Sequence, residues 1–73
     1  MLYQVDISVD DDHGNLQIIS VEGSEFEKCI TETEEYLERH QNWNPQILAA
    51  RQILNLEVID IKYKIIELIN RRK

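Results

Sequence analysis

Residues 54–63 read LNLEVIDIKY, and whether this stretch is strand or helix decides the fold. Leu54, Leu56 and Val58 alternate with Asn55 and Glu57, while Ile59, Ile61, Tyr63 and Ile65 alternate with Asp60, Lys62 and Lys64. A period of two is the mark of a strand with one buried face. The parity switches at Val58-Ile59, as one extra residue in a bulge would make it do. β-Branched residues are dense here, which favours strand. The spacing therefore predicts a third strand within residues 47–61. A competing signal stands just upstream. Asn44-Pro45 suits a helix start, Asn as cap and Pro in the first position, and Ile47, Ala50 and Leu54 would share one helical stripe. A helical second half is the alternative. From Lys64 to Lys73, Ile65, Leu68 and Ile69 fall at helical spacing and basic residues crowd the end, so a short C-terminal helix is expected.

The first half reads more plainly. Tyr3, Val5, Ile7 and Val9 alternate with Gln4, Asp6 and Ser8, a half-buried strand. Asp10-Asp11-Asp12-His13-Gly14-Asn15 is rich in turn formers. A second strand follows over Leu16–Val21, so the pair forms an antiparallel hairpin. A hairpin alone is marginal in water and must pack on something. The partner is a helix over residues 24–40, with Ser24 and Glu27 spaced as a capping box. Phe26, Cys29, Ile30, Thr33, Tyr36, Leu37 and His40 fall on one arc of it. Glu27, Glu34 and Glu38 line another stripe, and Lys28/Glu32 and Glu35/Arg39 stand at the i,i+4 spacing of ion pairs. The expected fold is α+β: an N-terminal hairpin on one amphipathic helix, a third strand and a short final helix, in one domain over residues 1–73.

Composition narrows the function. The chain has 73 residues and a formal charge of −6, with 42% hydrophobic and 30% charged residues. Residues 1–40 carry 11 acids and 2 bases, while 41–73 carry 3 acids and 6 bases. An anionic surface does not hold phosphate chains, so neither nucleic acid nor an anionic membrane is an expected partner. No run is apolar for long enough to cross a bilayer or to form a signal peptide core. One cysteine, Cys29, permits no internal disulfide and no cysteine-based zinc site. A reduced, cytoplasmic setting is expected. Two glycines leave no room for a phosphate-cradling loop, and no cofactor is expected.

Each candidate site has a plainer rival. The Asp10, Asp11 and Asp12 tip has hard-cation ligands, but a calcium loop opening at Asp10 would need Gly at residue 15 and a carboxylate at residue 21, where Asn15 and Val21 stand. A solvated turn is preferred, and no metal is expected. His40, on the apolar arc near a helix end, reads as a packed or capping side chain, and Cys29 as a small buried hydrophobe. No nucleophile–base pair follows from local spacing, so no catalytic residue is expected. The Glu27/Glu34/Glu38 stripe on a rigid helix would suit a basic groove, although glutamates on a solvated face need no such reason. Arg71, Arg72 and Lys73 complement a helix C-terminus or the acidic half. Trp43, in a polar connector, is an interface anchor if exposed and a core cap if folded back.

The layout of the first forty residues is similar to that of the HicB-like antitoxin domain: a strand ending at Asp10-Asp11, a turn with Gly14, a second strand, then a helix opening on Ser24-Glu25-Phe26-Glu27. That family's usual central segment is shortened or absent here. The resemblance implies that a small acidic hairpin–helix protein can act as a stoichiometric inhibitor.

Two functional expectations follow. The first is a non-enzymatic protein-interaction module, self-associating as a homodimer, because 22 Leu, Ile and Val in 73 residues are more than one small monomer comfortably buries. Strand-edge pairing, or contact between the oppositely charged halves, would join the copies. The second is an acidic stoichiometric inhibitor, a nucleic-acid mimic or antitoxin of phage or mobile-element type. It would grip a basic protein through Glu27, Glu34 and Glu38, with Asp10, Asp11, Asp12 and Trp43 nearby.

Overall fold

The computed structural model describes residues 1–72. Among them, β1 (Leu2–Asp10) and β2 (Leu16–Gly23) form the expected hairpin, and α1 (Phe26–Arg39) follows. A 3-10 turn (Gln41–Trp43) then leads to β3 (Gln46–Leu54), β4 (Glu57–Asp60) and α2 (Lys62–Arg71). The four strands make one antiparallel sheet in the order β2-β1-β3-β4. The architecture is α+β, as the alternation of residues 2–9 and 54–63 predicts.

β1 is central, and its alternation divides the sheet. Val5, Ile7 and Val9 are buried beneath the helices, while Gln4 and Asp6 face away. The core joins Val5, Ile7 and Ala50 of the sheet to Cys29 and Ile30 of α1 and to Ile61, Ile65 and Ile69 at α2. Each such aliphatic side chain contributes about 1.5–3 kcal/mol by leaving water. The predicted apolar arc of α1 is the face that packs: Cys29, Ile30 and Thr33 are buried, and Phe26, Tyr36 and Leu37 lie against the core. Thr33 needs no polar partner beyond its own helix, since its hydroxyl donates to the Cys29 carbonyl at 2.8 Å.

Several local readings are corrected. Residues 47–61 hold parts of two strands rather than one. Asn55, at φ 57°, supplies the positive φ that lets the chain reverse at Asn55-Leu56. The irregularity expected at Val58-Ile59 lies at Leu48 instead, where pairing steps from Asp6↔Ala49 to Ile7↔Ile47. That one extra residue turns Ile47 to the helix side, where it meets the core. A helical second half does not form. Asn44 is left-handed at φ 50° and closes the 3-10 turn, and Pro45 precedes a strand. The capping box is not made either: Glu25 is the N-cap of α1 and offers no side-chain bond. Neither Lys28/Glu32 nor Glu35/Arg39 closes to an ion pair among the described residues. α2 begins at Lys62, two residues early, where the Asp60 carboxylate accepts the Lys62 amide at 2.9 Å. Lys73 lies outside the described residues.

Candidate interaction surface

The predicted surface residues separate into two groups, each tied to other parts of the chain. At the β1–β2 turn, Asp10 is exposed, while the Asp11 carboxylate accepts the amides of His13 (2.9 Å) and Asn15 (2.8 Å) and Gln17 Nε2 (3.0 Å). The Asn15 amide is the main reason that its pKa falls below the ordinary 3.8. Asp11 is thus a turn-builder. Asp12 instead reaches across 31 positions to accept Trp43 Nε1 at 3.0 Å. Trp43 is folded back and half-buried, tilted on the His40 ring, which itself stacks on Tyr36 with centroids 4.2 Å apart. Among the described residues, no group of three or more His, Cys, Asp or Glu side chains could hold a metal ion.

The glutamate stripe faces the basic end of the same chain. Arg72 Nη1 lies 3.2 Å from Glu27, and its Nε lies 3.2 Å from Glu34. Glu38 is exposed on the rim of a groove of about 500 Å³ between the two helices, together with Glu34 and Arg72. Leu37, Pro45 and Ile69 supply its apolar lining. Part of the charge opposition between the halves is therefore satisfied within the fold.

A second neutralising contact was not legible in the sequence. Arg51, on β3, donates to Asp6 at 2.9 Å and to Gln4 at 3.1 Å on the uncovered sheet face. Gln4 in turn donates to Glu22 (2.8 Å), and the Ser20 hydroxyl to Asp6 (2.6 Å). The Ser20 bond, then the Arg51 guanidinium, hold the Asp6 carboxyl below its ordinary 3.8. Only the cross-strand register of Gln4↔Arg51 brings these side chains together from 47 positions apart.

What remains open is apolar. Leu54, Leu56, Val58, Ile59 and Tyr63 are all exposed, Leu56 completely at 101% and Tyr63 at 77%. These five lie within ten positions, on the second hairpin and the first turn of α2. Leu16 and Ile18, two residues apart on the uncovered face of β2, and Leu48 on β3 are also exposed. The signal was present in the sequence: residues 54–63 contain more alternating apolar positions than a four-residue edge strand can turn inward. Cys29, by contrast, is buried and its thiol pKa is raised, first by burial and then by Glu32. No helix among the described residues is long and apolar enough to cross a membrane. Compared with known protein families, curated proteins and solved structures, the chain matches none.

Proposed function

We propose that the chain is a non-enzymatic protein-interaction module that self-associates as a homodimer. The observation carrying this reading is the run of exposed large apolar side chains from Leu54 to Tyr63. Soluble monomers scatter such residues singly, whereas five of them gather here on one edge hairpin and the start of α2, which supports a surface with a partner. The shape is consistent with a surface awaiting cover. The molecule measures 39 × 26 × 17 Å with a radius of gyration of 12.4 Å, against about 11 Å for a compact chain of this length. The helices cover one face of the sheet and leave the other open.

The acidic-inhibitor reading has weaker support, since two glutamates of its stripe already face Arg72. Its remaining asset is the groove rimmed by Glu34 and Glu38. Sedimentation equilibrium of the purified chain tests the homodimer: the mass-average should rise toward twice 8.7 kDa with concentration. A fixed 8.7 kDa species would end the homodimer reading.

A further inference from the structure

Taking self-association as the premise, we infer that two copies join edge to edge through β4, pairing antiparallel about a two-fold axis to extend the sheet to eight strands. Backbone chemistry gives the first reason. Leu54 and Glu57 flank a two-residue turn, so their amides face one another, and alternate residues along β4 then point the opposite way. The Ile61 amide still bonds inward, to the Ala50 carbonyl at 2.9 Å, which keeps residues 57, 59 and 61 in phase. Val58 and Asp60 therefore present their N–H and C=O groups to the open edge. An edge of this kind is a template for another strand.

Area gives the second reason. The five exposed residues leave on the order of 700 Å² of residue surface open on the two sides and the end of this edge, close to the ~800 Å² per partner that a standard interface buries. Charge gives the third, and it selects among the surfaces. Residues 10–25 at the β2 edge carry Asp10, Asp11, Asp12, Glu22 and Glu25 and no Lys or Arg, so two β2 edges would repel. The uncovered sheet face sets Asp6, Asp10, Glu22 and Asp60 against Arg51 alone, and two such faces would also repel. At the β4 edge Glu57 and Asp60 stand beside Lys62, one net negative charge against five acids and no Lys or Arg in residues 10–25. A second copy is the partner that this near-neutral apolar edge fits best. In a two-fold pairing that keeps the sheet's faces aligned, Val58 meets its own mate, and Glu57 stands opposite Ile59 rather than another acid.

The test compares sedimentation equilibrium of the unmodified chain, Val58→Lys and Ile18→Lys. Both positions are well exposed, at 64% and 58%, so the fold should tolerate lysine at either. Val58→Lys should weaken the dimer by about 30-fold or more, and Ile18→Lys by no more than about threefold. Amide exchange of the unmodified chain gives the second readout: exchange at Val58 and Asp60 should slow as concentration rises. A dimer that is unaffected by Val58→Lys and leaves both amides unprotected would overturn edge pairing while leaving self-association standing. An unmodified chain that stays monomeric would overturn both.

Discussion

The two hairpins use similar lengths of alternating sequence and are finished differently. At the β1–β2 turn, Asp11 gathers three hydrogen bonds, and Asp12 fastens the tip to Trp43. At the β3–β4 turn, Asn55 supplies the reversal and Leu56 stands wholly in water. Each hairpin gives the sheet one inner strand and one edge, and at the β4 edge all four residues are exposed. The difference teaches where the molecule is complete. The first hairpin ties its turn to internal partners and sets Val5, Ile7 and Val9 inside, with Leu16 and Ile18 left exposed on an acidic edge. The second leaves Leu54, Leu56, Val58 and Ile59 exposed on a less charged one.

The sharpest way to break this contrast is to truncate one aliphatic side chain in each hairpin. Ile7→Ala, at a fully buried site, should cost about 2–5 kcal/mol in a urea titration, enough to unfold much of so small a domain. Leu56→Ala should stay within about 0.5 kcal/mol of the unmodified chain. Equal losses would mean that the second hairpin is as internally committed as the first.

The turns give a smaller effect. Gly14 has φ +77° with nothing near its missing side chain, so Gly14→Ala should cost about 1–2 kcal/mol through backbone strain alone. Asn55→Gly should instead add a few tenths of a kcal/mol. Thermal melts at fixed protein concentration would read both.

How much of this was legible follows from which forces act locally. The alternation of Tyr3 to Val9 and the arc from Phe26 to His40 carry their own period, and both elements form as read. Residues 54–63 showed the strand but not the reversal within it, because Asn55-Leu56 resembles ordinary alternation until the left-handed φ at Asn55 is known. The bulge stands away from Val58-Ile59 for a tertiary reason. Its position at Leu48 is set by Ile47 meeting Ile7, a contact between strands 40 positions apart. The capping box lost to a helix that starts one residue later, at a Glu25 N-cap with no side-chain bond. Among the candidate site residues, charge counting showed that the halves were opposed. It could not show that Arg72 reaches Glu27 and Glu34, or that Arg51 reaches Asp6, since both depend on tertiary placement.

The Asp12–Trp43 bond offers a finer test. Asp12→Ala should cost about 0.5–1.5 kcal/mol and shift Trp43 fluorescence to the red as the ring loosens from the tip. An unchanged emission maximum would mean that the first turn is not fastened there.

The smallest effect concerns the link between hairpins. Ser20 and Arg51 lower the Asp6 pKa in the fold, so the ionised carboxylate is favoured by folding. Its contribution is present above the unfolded value, near 3.9, and is lost as pH falls through the lower folded value. The stability advantage of the unmodified chain over Asp6→Asn should therefore hold at pH 7 and shrink below about pH 4. Denaturant titrations of both proteins across that range would show it, and an advantage that grew toward acid would contradict it.

Self-association remains the claim on which the function rests, and sedimentation equilibrium of the unmodified chain tests it most directly. From about 1 µM to about 500 µM, a weak two-fold dimer should carry the mass-average from 8.7 kDa toward twice that value. A constant 8.7 kDa across the whole range would contradict it.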